Sequence, residues 1–223
     1  MSEDQVYGAL LKLIETNKVE TGRARITLMP SNLSSSGPWV LEAAQAQSAA
    51  PLHDLHRRRA VPPEEGLALT VSPFRVNTHS PLAGLKSVNY LEHVLAWEEA
   101  KARNFDDAVT LNERGEIVST TMANIFWLSG GTLHTPAASS GCLEGTTRGC
   151  VIRIAAELSI PVIEGVYDLS RLGDADEIFL TSSGVGVALV TAFDYHRYAI
   201  QVGSFSLRIR EAFRQLTLES GKR

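Results

Sequence analysis

Cysteine is scarce in this sequence: Cys142 and Cys150 are the only two in 223 residues. Two cysteines are too few for a disulfide framework, and these form no CxxC pair and share no zinc spacing with histidine. A stapled fold and a structural zinc site are therefore not expected, and both thiols are expected to be reduced in a cytoplasm. Positive charge is also short. Lys+Arg number 21 against 25 Asp+Glu, a formal net charge of −4. Non-specific nucleic-acid binding needs clustered positive charge and is not expected. No apolar run approaches the ~18–20 residues of a membrane-spanning helix. The opening MSEDQVYGALL lacks the basic and then apolar segments of a secretory leader. These absences predict a cytoplasmic protein with neither nucleic acid nor membrane as partner.

Several catalytic signatures are missing as well. There is no GxSxG elbow, no GxxxxGK[ST] phosphate loop and no GxGxxG. Cys142 has no catalytic Cys/His motif around it. His53 and His56 come closest to a metal-ligand pair, but Arg57, Arg58 and Arg59 adjoin them. A solvated loop is the expected setting, and no metal is expected.

What is present suffices for a core. Hydrophobic residues make up 44% and charged residues 21%, ordinary for a globular protein, and a chain this long buries roughly 70% of its unfolded surface. Val6, Leu10, Leu13 and Ile14 recur at helical spacing and predict a helix over Val6 to Thr16. RARITLM, from Arg23 to Met29, predicts a strand. Turn residues follow through Gly37-Pro38, and Trp39-Val40-Leu41 predicts a second short strand. From Ala43 to Glu65 no period is visible, which predicts an interdomain linker.

Beyond it, LALTVSPFRV (Leu67 to Val76) reads as a strand interrupted by Pro73, and Leu91 to Arg103 as an amphipathic helix. Ala108 to Leu111 and Glu116 to Val118 flank an Arg114-Gly115 hairpin turn. Ile125 to Leu128 and Leu133 to Thr135 pair across Gly130-Gly131. Thr147 to Leu158 is helical, with Val151, Ile152, Ala155 and Leu158 on one face. Pro161 to Glu164 is a short strand. Glu177 to Thr181 and Val185 to Val190 are apolar strands around Ser182-Ser183-Gly184. Phe205 to Leu218 closes the chain as a helix with Phe205, Ile209, Ala212, Phe213 and Leu216 inward. Many hairpins and few βαβ units predict a mixed α+β chain with a mostly antiparallel sheet. The domains are expected at 1–63, small and α/β with the linker, and 64–223, large.

Four stretches combine polar residues with abrupt turns. In Gly84-Leu85-Lys86-Ser87-Val88-Asn89-Tyr90-Leu91-Glu92, a lysine sits among apolar neighbours between a strand and a helix. Desolvated, such a lysine is a nucleophile toward carbonyls; otherwise it is a surface lysine at a helix start. Ser119-Thr120-Thr121-Met122-Ala123-Asn124-Ile125-Phe126 leads hydroxyls into a strand through an asparagine, or is a turn satisfying its own backbone. Gly141-Cys142-Leu143-Glu144-Gly145-Thr146-Thr147-Arg148 opens a helix, where free N–H groups favour phosphate and threonine also serves as a plain cap. Leu180-Thr181-Ser182-Ser183-Gly184 is either an anion cradle or a turn.

In this order and spacing the four stretches resemble the class IV, fold-type IV, pyridoxal-phosphate enzymes: branched-chain and D-amino-acid aminotransferases and 4-amino-4-deoxychorismate lyases. The resemblance runs from about Arg23 to the C-terminus and is densest from Lys86 to Ser183. It implies a fold-type IV architecture with a small N-terminal α/β domain and a larger pseudobarrel domain, with pyridoxal 5′-phosphate as cofactor. Lys86 falls on the family's Schiff-base lysine. Tyr90 falls on the tyrosine that bonds the cofactor's phenolic oxygen, and Leu143 on the apolar residue packed against its ring. Thr146 and Thr147 match the phosphate turn written G-I-T-R, here Gly145-Thr146-Thr147-Arg148, and Ser183 matches a further phosphate contact. Asn124 matches the asparagine of E-x-x-x-x-N-[IL]-F.

The sequence departs from the pattern twice. The glutamate that pairs with the cofactor's pyridine nitrogen is Ser119 here, which offers only a neutral hydrogen bond and a weaker electron sink. Glu116, three residues earlier, does not reach that point without a register change. The chain is also expected to begin after the family's first segment, with its phosphate-binding arginine; Arg23 and Arg25 do not match it. The run around Lys86 is similar to the lyase pattern L-K-x-L-N-x-L-E, and Phe126-Trp127 is lyase-like, whereas Tyr90 is aminotransferase-like. The resemblance thus implies a lyase releasing pyruvate and 4-aminobenzoate from a small amino substrate, with a transaminase as the alternative and a catalytically impaired binding protein of the same fold as a third reading. It also implies a homodimer. Arg75, His79 and Arg148 are available for a substrate carboxylate, with no motif to choose among them.

Overall fold

The computed structural model describes residues 2–19, 23–30, 49–56 and 65–220. The chain divides into two compact units, Met1–Ala60 and Val61–Arg223. The expected strand at Trp39-Val40-Leu41 lies outside the described residues.

In the first unit, helix α1 spans Glu3–Asn17. Its start is a reciprocal cap: the Gln5 amide donates to Ser2 Oγ and the Ser2 amide to Gln5 Oε1, which satisfies two otherwise unpaired donors. Its end is Lys18 in the left-handed region. Strands β1 (Arg23–Pro30) and β2 (Ala49–His56) pair antiparallel, with Ile26 opposite His53. This corrects two expectations. Part of the predicted linker is a strand, and His53 and His56 lie in that strand rather than in a loop. The reason is backbone pairing, which AAPLHDLH accepts although Pro51 and its small residues hide the alternation.

The second unit is built on one curled sheet. Its strands are β3 (Leu67–Val76), β4 (Asp107–Asn112), β5 (Ile117–Thr120), β6 (Asn124–Ser129), β7 (Thr132–Pro136), β8 (Val162–Gly165), β9 (Glu177–Ser182), β10 (Gly186–Phe193) and β11 (His196–Arg197). The order is β5-β4-β3-β10-β9-β6-β7-β8, with β11 on β10. Neighbours β3–β4, β3–β10 and β7–β8 are parallel and the remaining pairs antiparallel. The two ends of the path meet. The Ile117 amide of β5 donates to the Tyr167 carbonyl, just past β8, at 2.8 Å, and Glu116 bridges Asp168.

Period-two alternation sends side chains to two cores. Ile125, Trp127, Ile178, Leu180, Ala188 and Val190 fill the inside of the curl. Their neighbours Phe126, Leu128, Phe179, Val187 and Leu189 face outward. There they meet helices α3 (Thr146–Glu157) and α5 (Phe205–Ser220) through Val151, Ile154, Ala155 and Ile209. Glu177 at the start of β9 caps α5, accepting from the Phe205 and Ser206 amides at 2.9 and 2.8 Å. A short helix α4 (Ser170–Gly173) and β11 were not legible in the sequence.

Helix α2 spans Leu91–Ala102 and buries only Ala96 and Ala100. Close approach to the sheet selects these small residues, while Leu91 and Leu95 stay exposed. The expected apolar stripe of α2 is thus not its buried face. Arg103, its C-cap, donates to Thr70 Oγ1, the Val71 carbonyl and Glu99, fastening the helix to β3.

Candidate active site

A cavity of about 1060 Å³ opens where β3, the segment leading to α2, α2 itself, β5 and the turn before α3 converge. Tyr90, Ser119 and Leu143 line it, as do Arg75, Glu92 and His93. Three of the expected site residues therefore share one wall.

Lys86 joins them through Tyr90. Its Nζ donates to the Tyr90 hydroxyl at 2.7 Å and stands 5.3 Å from the ring centroid. The spacing of four along an irregular segment running into α2 brings them together. Lys86 is exposed rather than enclosed by apolar neighbours, the surface-lysine alternative and not the desolvated pocket. Leu85 and Val88 beside it are exposed as well.

Ser119 is on β5 opposite Thr110 of β4. The two hydroxyls lie 3.0 Å apart, and Thr110 Oγ1 also donates to the Ser119 carbonyl. The wall here is neutral, a hydroxyl pair. Glu116 does not substitute for it: its carboxylate takes Arg114 at 2.7 Å and the Asn112 amide at 2.7 Å.

The turn before α3 is set by Asn124. Its side-chain amide donates to the Leu143 carbonyl at 2.7 Å. A Cβ on Gly145 would stand 2.4 Å from Asn124 Oδ1, so only glycine fits there without a shift. Gly145 is also the N-cap of α3, with no side chain to cap the first turn. Thr146 is exposed and Thr147 buried at that helix start, and Ser183 is exposed in the turn between β9 and β10. Thr181 pairs across the sheet with Asn124. Its hydroxyl is buried, and among the described residues nothing bonds it. An uncapped helix start, with its dipole, beside an orphaned hydroxyl suits a phosphate group. Lys86, Asn124, Thr146, Thr147 and Ser183 are not among the residues that line the cavity, but the chemistry of the set, an amine, a phenol, hydroxyls and the amides of a helix start, suits pyridoxal phosphate.

Polar anchors that sequence reasoning missed hold these segments. Glu113 accepts from the Thr78 hydroxyl and amide, and Arg114 bridges Thr78, Glu113 and Glu116. Asn112 donates to the Ser140 carbonyl. The β4–β5 turn thereby pins both the segment leading to Lys86 and the one leading to Leu143. The Thr78 bonds hold the Glu113 carboxyl down to about 2. Asp107, at the start of β4, accepts from the Thr121 hydroxyl at 2.6 Å and the Thr121 amide at 3.2 Å, fixing the turn from Ser119 to Asn124. Burial pushes its pKa up. Such pairings join residues 14 to 35 positions apart and leave no local signal.

Of the three candidates for a substrate carboxylate, only Arg75 lines the cavity. The Arg148 guanidinium is buried; its Nη2 donates to the Pro136 carbonyl and to Glu164, while its Nε has no partner among the described residues. The buried Cys142 thiol lies against the Pro136 and Ala137 carbonyls, and burial raises its pKa. No group of three or more metal-ligating side chains exists among the described residues, and no described helix is long and apolar enough to cross a membrane.

Known proteins resemble this chain in sequence and in fold. The family profile described as amino-transferase class IV matches residues 1–193. A Methanocaldococcus jannaschii protein assigned as a branched-chain-amino-acid aminotransferase is 35% identical over 162 residues, 71% of this chain and 56% of that protein. The Bacillus subtilis aminodeoxychorismate lyase is 26% identical over 228 residues, covering 100% of this chain and 77% of its own length. The branched-chain aminotransferase structure from Thermoproteus uzoniensis with norvaline superimposes with a TM-score of 0.86. Its identity is 26%, and the match covers 98% of this chain and 72% of that one.

Proposed function

The chain belongs to the amino-transferase class IV family, and we propose that within it the protein acts on a small amino substrate as a 4-amino-4-deoxychorismate lyase, releasing pyruvate and 4-aminobenzoate. Class IV aminotransferases use pyridoxal phosphate. The observation that supports cofactor chemistry here is the Lys86 Nζ–Tyr90 hydroxyl bond of 2.7 Å beside the cavity, which serves lyase and transaminase alike. The match to the B. subtilis lyase, which covers 100% of this chain and 77% of the lyase, supports the lyase reading.

In this reading Lys86 holds the cofactor's aldehyde carbon and Tyr90 its phenolic oxygen. Ser119 faces the ring nitrogen and Leu143 the ring. The start of α3 at Thr146 and Thr147, with Ser183, holds the phosphate, and Asn124 keeps that turn in shape. The bound cofactor supplies an electron sink that acidifies a carbon–hydrogen bond of the attached amine. Lys86, once free, takes that proton on Nζ and returns it as general acid. The Tyr90 hydroxyl accepts from Nζ and orients it. The neutral Thr110–Ser119 pair offers the ring no charge, so proton transfer leans on Lys86.

Exposed apolar residues beside the site, Leu85 at 63%, Val88 at 64% and Leu91 at 70%, support a homodimer whose partner covers this face.

A transaminase is the second reading, favoured by the 35% identity to the M. jannaschii protein. Incubation with pyridoxal phosphate and 4-amino-4-deoxychorismate separates the two. Equimolar pyruvate and 4-aminobenzoate, with no keto acid added, supports the lyase. Keto acid made from branched-chain amino acids, only when an acceptor keto acid is present, overturns it for the transaminase.

A further inference from the structure

We infer that Thr78 is a positioning residue for the cofactor site: its hydroxyl fixes the segment that carries Lys86, and its methyl fixes the turn that opens α3. This inference rests on the pyridoxal-phosphate reading above and adds to it the residue that keeps the amine end and the phosphate end in register.

The first support is the character of the segment from Asn77 to Asn89. It belongs to neither sheet nor helix and runs as a series of tight turns. The Ser80 amide donates to the Asn77 carbonyl at 3.1 Å, Ala83 to Ser80 at 3.0 Å and Leu85 to Leu82 at 3.1 Å. Such turns fix local shape and leave the placement of the whole run to its outside contacts. Among the described residues, every hydrogen bond tying this segment to the sheet and its turns runs through Thr78.

The second support is how fully those bonds commit the hydroxyl. It donates to Glu113 Oε1 at 2.5 Å and accepts from Arg114 Nη1 at 2.9 Å, while the Thr78 amide donates to Glu113 Oε2 at 3.0 Å. Hydrogen bonds to charged partners are the stronger kind. Glu113 and Arg114 are themselves paired at 2.7 Å. The turn they stand on is held in its own right by Asn112, which donates to Glu116 and to the Ser140 carbonyl.

The third support is where the methyl goes. A β-branched side chain has few rotamers, so bonding the hydroxyl also sets the methyl. That methyl abuts Gly141: a Cβ there would stand 3.1 Å from Thr78 Cγ2. Further along the segment, a Cβ on Gly84 would meet the Cys142 carbonyl at 3.5 Å. The Lys86 segment and the turn holding Leu143 therefore lie against each other at two points. Valine at position 78 would keep the packing and lose the bonds; serine would keep the hydroxyl and lose the packing.

The test reads binding to the full chain rather than turnover. Borohydride fixation first verifies cofactor on Lys86 in the wild type. Wild type, Thr78→Val and Thr78→Ser are then titrated with pyridoxal 5′-phosphate and with pyridoxal, the same aldehyde without its phosphate, following the cofactor absorbance. In Thr78→Val, pyridoxal affinity is expected to fall about 10-fold, the worth of hydrogen bonds to charged groups, and to return in Thr78→Ser. In Thr78→Ser, the advantage of pyridoxal phosphate over pyridoxal is expected to shrink about 3-fold, the scale of coupling between touching groups. Should Thr78→Val not fold by circular dichroism, Arg114→Gln removes a bond to the same hydroxyl from an exposed side chain and is expected to lower pyridoxal affinity in the same direction. Wild-type pyridoxal affinity in folded Thr78→Val, or in Arg114→Gln where it stands in, overturns the proposal and leaves Thr78 a purely structural residue. Pyridoxal affinity that stays low in Thr78→Ser, or an unchanged phosphate advantage there, overturns it too. Absence of fixation in the wild type is a separate result: it overturns the cofactor reading, and this proposal with it.

Discussion

The Asn124 side-chain amide donates to the Leu143 carbonyl at 2.7 Å, tying the first residue of β6 to the turn that opens α3. That bond fixes where the helix's unpaired amides point, and Gly145 lies close enough to Asn124 Oδ1 that no side chain fits between them.

Gly145→Ala is therefore expected to push the turn away from Asn124. Overpacking of this kind costs about 1–3 kcal/mol, and cofactor affinity falls with it. Asn124→Ala releases the Leu143 carbonyl and weakens cofactor binding in the same direction. Equilibrium dialysis against pyridoxal phosphate, beside urea unfolding, measures both effects. Unchanged affinity in both variants would separate this turn from the phosphate.

Ser119 carries the next prediction. Ser119→Glu puts a carboxylate on the wall beside Tyr90 and is expected to tighten cofactor binding and change its absorbance, because a charged partner favours a protonated ring nitrogen. Ser119→Ala leaves Thr110 with only the Ser119 carbonyl as acceptor. It is expected to cost about 1 kcal/mol of stability and to lower cofactor affinity. Spectra and affinities identical across Ser119, Ala and Glu would place the cofactor ring elsewhere.

Stability against pH has two opposed contributions. The Glu113 carboxyl is lowered from 4.5 to about 2 by the Thr78 bonds. The folded state favours its ionised form, so this contribution is complete above 4.5 and is lost as pH falls toward 2. The Asp107 carboxyl is raised above 3.8 by burial. The folded state favours its protonated form, so stability is lost as pH rises from 3.8 through the raised value. Glu113→Gln should flatten the acid limb. Asp107→Asn should remove the loss above 3.8 while keeping an acceptor for Thr121. Urea midpoints measured from pH 2 to 8 test both signs.

The outer core sets stability and not chemistry. Phe179 stacks on Phe126, with centroids 5.1 Å apart, and is 1% exposed. Phe179→Ala is expected to cost about 3–5 kcal/mol, read by urea unfolding, while the protein that remains folded still binds cofactor.

Much of this architecture was legible where side-chain periodicity is clean. The β6–β7 hairpin across Gly130-Gly131, the β9–β10 pair around Ser182-Ser183-Gly184, and helices α3 and α5 fall where Ile125, Trp127, Ile178, Leu180 and Ile209 recur. Strand β2 was hidden because Pro51 and adjacent alanines blur the alternation that pairing with β1 imposes. The closure of the sheet from Ile117 to Tyr167 and the parallel β3–β10 pair join distant segments that carry no local cue. The same holds in the site. Lys86, Tyr90, Ser119 and Asn124 lie in recognisable runs. The Thr78–Glu113–Arg114 knot and the Asp107–Thr121 bond depend on contacts that only the folded chain creates. Arg75 could be nominated from the sequence but not chosen over Arg148 and His79, since only the folded chain buries Arg148 and leaves His79 off the cavity wall.

Every role proposed for the cavity depends on Lys86 carrying the cofactor. Purified protein incubated with pyridoxal phosphate, reduced with borohydride, digested and mapped by mass spectrometry tests it directly. One pyridoxyl adduct is expected, on the peptide containing Lys86, and it is expected to be lost in Lys86→Ala with the fold intact by circular dichroism. An adduct on another lysine, or none from folded wild-type protein with cofactor in excess, would contradict it.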